Sequence, residues 1–210
     1  MRPTSVADAL IERITSRMVV LARRRRTPWL RHGARSSSEA HRDKVASYIA
    51  IAEEDGARVV VDGRGIEVDG ERDGFWLGPT LIDALPTSSR AYTEEIFGPV
   101  LGVVRVRSYE EGVALINAGA FGNGTAIFTN DGGGRARRFQ NEVQVGMIGI
   151  NVPIPVPVAT FSFGGWRSSL FGDTKAHGAE GVRFFTQAKA ITSRWLDPSH
   201  GGVDLGFPQN

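Results

Sequence analysis

Tyr92-Thr93-Glu94-Glu95-Ile96-Phe97-Gly98-Pro99-Val100 is the stretch from which the rest of this chain is best read. Two carboxylates precede two apolar side chains, a Gly-Pro turn follows, and residues 100–106 then run apolar and largely β-branched, as a buried strand does. On spacing alone Glu94-Glu95 is a solvated acidic pair ahead of that strand. Its setting gives it more weight: ordered glycine-rich motifs follow it, and the 210-residue chain contains no cysteine.

Working outward, residues 5–21 predict an amphipathic helix. Ser5 and Asp8 have capping-box spacing, and Val6, Leu10, Ile14, Met18 and Leu21 recur at helical intervals. Residues 39–54 predict a second helix with Val45, Tyr48, Ile49 and Ala52 on one side and Gly56 as its stop. Val59-Val60-Val61 predicts a short strand before an Asp62-Gly63 turn, and residues 75–83 an extended segment. Beyond the opening run, Ser108-Tyr109-Glu110-Glu111 starts a helix that ends near Gly119. Residues 125–129 and 147–151 predict strands on either side of a helix over 134–143. Prolines 153, 155 and 157 break regular structure, residues 189–195 form a last strand, and a Gly/Pro-rich tail closes the chain. Strands alternating with helices of this length predict an α/β fold, a mainly parallel sheet flanked by helices.

Composition sets limits. A hydrophobic content of 41% suffices for a core. No apolar run approaches the ~20 residues that span a bilayer, and the first residues lack the charged-then-apolar order of a signal peptide. The expectation is a cytoplasmic protein with no membrane partner, no disulfide and no thiol-bound metal. Arg23, Arg24, Arg25, Arg26, Arg31 and Arg35 sit in a segment without acids; set those six aside and the net charge of +2 becomes −4. The basicity is therefore local, and no nucleic-acid-binding face is expected. His32, His41, His177 and His200 show no metal-ligand spacing, Asp131-Gly132-Gly133-Gly134 reads as a helix-entry turn, and no G-x-S-x-G is present.

Several motifs in order, Gly78-Pro79-Thr80-Leu81, residues 94–100, residues 121–129, residues 146–151 and Ser162-Phe163-Gly164-Gly165-Trp166, resemble those of aldehyde dehydrogenases. The resemblance runs from about residue 5 to 195. Residues 149–157 and 162–166 are most similar to the methylmalonate-semialdehyde dehydrogenase branch, which oxidises malonate or methylmalonate semialdehyde with NAD and releases an acyl-CoA. The resemblance implies that Glu95 bonds the nicotinamide ribose, a task a carboxylate suits because it accepts from both hydroxyls of a vicinal diol. Phe97 would pack near the nicotinamide ring. Asn151, Phe161 and Phe163 would line one wall of a pocket for a small aldehyde. Residues 189–195 would be an oligomerisation strand joining a neighbouring subunit's sheet, in a homo-oligomer or with a full-length homologue.

The family reaction needs a cysteine thiolate, an activating glutamate and an oxyanion-hole asparagine, and serine does not replace the first because its hydroxyl is scarcely ionised near neutral pH. No catalytic residue is therefore assigned. The resemblance implies a catalytic domain truncated before residue 1, a partial NAD site, CoA as the family co-substrate, and a chain inactive by itself. The expected divisions are an N-terminal helix over 1–22, an aberrant Arg-rich segment over 23–38, the catalytic α/β domain over 39–188, the oligomerisation strand over 189–195 and the tail over 196–210. The Arg-rich segment departs from the family pattern. Codons for Arg23 to Arg26 can be chosen so that a one-base offset spells V-G-D-G, as in a segment read out of frame; an evolved basic arm is the other reading. A non-catalytic module that pairs with a full-length homologue is the alternative function.

Overall fold

The computed structural model describes residues 3–23, 36–66, 74–153, 159–172, 174–193 and 195. The Arg-rich stretch over 24–35, Pro155 and Pro157 of the proline loop, and the tail over 196–210 lie outside the described residues.

Helix α1 spans Pro3–Arg23 and α2 spans Glu39–Glu54. Ser38 caps α2, its hydroxyl accepting from the His41 amide at 3.2 Å, and the periodic residues Val45, Tyr48, Ile49 and Ala52 are its buried face. Three strands pack beside it: β1 (Arg58–Val61), β2 (Thr80–Asp83) and β3 (Val100–Gly102), in spatial order β1-β2-β3. Every residue of the central strand β2 is buried. Tyr48, Ala52, Ile82, Leu85 and Ala91 form the core between helix and sheet. Burying side chains the size of Leu81 and Ile82 contributes roughly 1.5–3 kcal/mol each.

The short helix α3 (Arg90–Thr93) connects β2 to β3, and α4 (Tyr109–Ala118) follows β3. The chain then forms β4 (Phe121–Gly122), β5 (Gly124–Ile127), α5 (Arg135–Glu142), β6 (Met147–Ile150), β7 (Trp166–Arg167) and α6 (Gly178–Phe184). A second core joins Phe139, Val143 and Val145 to Tyr109, Val113, Ile116, Ile127 and Ile148.

The sheet differs from expectation. The strands form three small sheets among the described residues, and pairing is mixed: β2–β3 and β5–β6 are parallel, β1–β2 and β4–β7 antiparallel. Connection explains the difference, because parallel neighbours need a crossover and both parallel pairs are joined through a helix, α3 or α5. The strand expected over 100–106 pairs only over Val100–Gly102, since its partner β2 ends at Asp83. Residues 189–193 and 195 make no strand pairing among the described residues, and Ile191 and Trp195 stand 79% and 93% exposed.

Buried Asp83 ties this half together. It accepts from Arg58 Nη2 at 2.6 Å and from Arg105 Nε and Nη2 at 2.9 and 2.8 Å, while Arg105 also reaches Asp8 of α1 at 2.8 Å. The flanking guanidiniums, Arg105 first, hold the Asp83 carboxyl down at about 2.

Candidate functional site

Ser89 caps α3 through the Ala91 amide, and that helix ends at Glu94. Here the acidic pair separates. Glu94 accepts from Arg90 Nε at 2.7 Å and from the Tyr48 hydroxyl, and these two donors, Arg90 first, lower its carboxyl to about 2. Glu95 is exposed and has neither hydrogen bond nor ion pair among the described residues. Phe97 follows with φ 56° and a ring 78% exposed, and Pro99 accepts from the Thr80 amide at 2.9 Å to feed β3 into the sheet.

Two cavities meet at Glu95. One, of about 370 Å³, is bounded by the loop itself with Phe97 and Ile96 and by Val100 and Val104. The other, of about 420 Å³, is lined by Glu95, Phe121, Asn123, Phe163, Ser168 and Leu170 among others. Its wall is built by nonlocal pairing. Phe121 and Gly122 face Arg167 and Trp166 across β4–β7, the Gly122 amide donates to Ser169 Oγ at 3.1 Å, and Phe163 bridges Ala176. A Cβ on Gly165 would lie 2.5 Å from the Ser169 Cβ, so glycine is what permits this close approach.

The structure thus brings Glu95 and Phe163 to one cavity and Glu95 and Phe97 to the other. Asn151 and Phe161 line neither. Asn151, at φ 56°, places its amide on the Thr129 backbone, Nδ2 donating to the carbonyl at 3.0 Å and Oδ1 accepting from the amide at 2.9 Å, so a side chain continues the β5–β6 ladder. Phe161 is 69% exposed.

Sequence reasoning passed over Asn123, Ser168 and Arg167. The Arg167 guanidinium donates to the carbonyls of Asn117 (2.6 Å), Gln144 (2.9 Å), Ile116 (3.2 Å) and Gly119, closing the C-terminal end of α4. These partners lie 23–51 residues away, and no local pattern signals them. Among the described residues no group of three or more His, Cys, Asp or Glu could hold a metal ion, and no helix is long and apolar enough to cross a membrane.

The aldehyde dehydrogenase family model matches residues 3–191, and the chain belongs to that family. The malonate-semialdehyde dehydrogenase of Pseudomonas aeruginosa is 49% identical over 204 residues, covering 97% of this chain and 41% of that protein. Among solved structures, methylmalonate-semialdehyde dehydrogenase (DddC) of Oceanimonas doudoroffii matches with TM-score 0.83 and 42% identity, over 93% of this chain and 40% of that one. The putative methylmalonate-semialdehyde dehydrogenase of Sinorhizobium meliloti, complexed with NAD, matches with TM-score 0.72 and 46% identity, over 75% of this chain and 32% of that one. The chain therefore spans about two fifths, or less, of the length of these relatives.

Proposed function

We propose that this chain is the portion of a CoA-acylating malonate- or methylmalonate-semialdehyde dehydrogenase that grips the nicotinamide ribose of NAD and walls the aldehyde pocket. The observation that carries the reading is the division of the acidic pair. Glu94 is consumed by Arg90 and Tyr48, whereas Glu95 has no partner among the described residues and stands at the junction of two cavities beside an exposed aromatic ring. An unpaired carboxylate fits a vicinal diol, and the Phe97 ring next to it fits the flat face of a nicotinamide. NAD, when bound, takes up the hydride of the oxidation; Glu95 and Phe97 orient one edge of it. Phe163 would shape the aldehyde wall; Asn151 and Phe161, which line neither cavity, join that wall in this reading on the family resemblance alone.

The chain has no cysteine, so its own residues supply no thiolate. We expect no aldehyde oxidation by the isolated chain, and the divisions at residues 22, 38, 188 and 195 belong to the same proposal. Incubating purified chain with malonate semialdehyde, NAD and CoA and following absorbance of NADH tests it. Turnover above a protein-free control would sink the inactive reading, and a failure of nicotinamide riboside to perturb Glu95 would sink the cofactor reading.

A second reading has its own support. Ile191, Trp195, Phe184 and Phe185 are 63–103% exposed together with Phe171, which suits a module that associates with another copy or with a full-length homologue.

A further inference from the structure

Three residues of α2 touch the loop that carries Glu95 and Phe97, and they lie on one helical face. At positions 41, 45 and 48 their spacing is i, i+4, i+7. The Tyr48 hydroxyl donates to Glu94 at the start of the loop. Val45, fully buried, lies so close to Gly98 that a Cβ there would meet its Cγ1 at 2.5 Å. His41, in the first turn, donates from Nε2 to the Phe97 carbonyl at 3.0 Å. The three contacts meet the loop at its first, last and intervening positions.

Phe97 needs such support. Its φ of 56° is left-handed, a region that non-glycine residues occupy only where their surroundings over-determine it. The ring itself contributes little anchoring, being 78% exposed. Its carbonyl is held by His41 and its neighbour Gly98 is seated on Val45, so the peptide plane that follows Phe97 is fixed at both of its ends.

We propose that the His41–Val45–Tyr48 face of α2 is a template for the cofactor loop, and that His41 is a positioning residue that sets Phe97, and through it Glu95, for nicotinamide-ribose recognition. The ligand half of this inference rests on the function proposed above; the conformational half does not. His41 acts by donating one hydrogen bond to a backbone carbonyl, so a side chain of similar reach that also donates can replace it.

The test uses the ¹⁵N,¹³C-labelled full chain, its His41→Ala and His41→Gln variants, and nicotinamide riboside as the probe. Without ligand, the Phe97 Cα shift and amide–Hα coupling report whether φ is positive. His41→Ala is expected to move both toward extended values while the signals of Ile82 and Leu81 stay in place, and His41→Gln to restore them. With ligand, His41→Ala is expected to weaken binding about fivefold and His41→Gln to remain within about twofold of the parent. Unchanged Phe97 parameters in His41→Ala overturn the template outright. Parent-like affinity in His41→Ala, with the Glu95 amide still responding, overturns the positioning role and leaves the function standing. No response of Glu95 in the parent chain overturns the ribose reading and the positioning role that rests on it, and the ligand-free measurement then decides the template by itself.

Discussion

Glu94 accepts from Arg90 and Tyr48, while Glu95, one residue on, has no partner among the described residues, so the two carboxylates have opposite tests. Glu95→Gln removes the charge from proposed hydrogen bonds to the ribose diol, and binding of nicotinamide riboside should weaken about tenfold. The thermal midpoint should not move, because no contact in the protein is lost. Glu94→Gln should lower the midpoint and disturb the loop. Calorimetric titration beside a thermal melt separates the two; a fall in midpoint with affinity intact at Glu95→Gln would assign Glu95 a structural role. The site was partly legible in the sequence because its loop is contiguous: Glu95, Phe97 and the Gly-Pro turn come in one run. Phe163 came with a second run. His41 was not legible, because its partner is 56 residues away and it looks like any polar residue in a first helical turn.

At the scale of elements, Asp83 joins β2 to β1, to the segment after β3 and, through Arg105, to α1. Its carboxyl is depressed in the folded state from an ordinary value of 3.8 to about 2. A depressed carboxyl contributes stability that is full above its unfolded value and lost as pH falls through the folded one. The parent chain should thus lose about 2 kcal/mol of stability between roughly pH 4 and pH 2 from this group alone. Asp83→Asn should lose a similar amount already at pH 7 and show a flatter acid limb, measured by urea unfolding at several pH values. An acid limb identical in both proteins would remove Asp83 as its cause. Arg167 gives the second test. Its planar fork reaches four carbonyls around the end of α4, and lysine, a single point donor, cannot. Arg167→Lys should cost about 1–2 kcal/mol and speed amide exchange in the last turn of Tyr109–Ala118; exchange rates equal to the parent's would refute the capping role. Helices were legible because their signal is local: Glu39–Glu54 shows in its apolar periodicity, and Tyr109–Ala118 begins after the Ser108 that the sequence marks. Strand direction was not, because it depends on what connects two segments, and the clamps at Asp83 and Arg167 span 22–51 residues.

For the whole molecule, the distribution of apolar surface is the decisive fact. The first core, against α2 and β2, is closed, with Val45, Ile49, Leu81 and Ile82 fully buried. Toward the C-terminal end the balance reverses: α6 buries no residue, and Phe171, Phe184, Phe185, Ile191 and Trp195 lie open. Scattered exposed apolar residues are ordinary, and it is the exposure of several large ones between residues 171 and 195 that the proposed association would explain. Residues 189–193 have no strand partner among the described residues, and the proposed association would pair their backbone groups with a strand from a second molecule. If association uses that strand, the chain should sediment as more than a monomer at micromolar concentration. Ile191→Asp combined with Trp195→Asp should shift it to monomer, since each charge would be buried on pairing, while the melt of the first core stays unchanged. A parent chain that sediments as a monomer throughout would refute self-association through 189–195. Addition of a full-length homologous dehydrogenase would then distinguish a surface that takes a different partner, by co-sedimentation, from one that takes none.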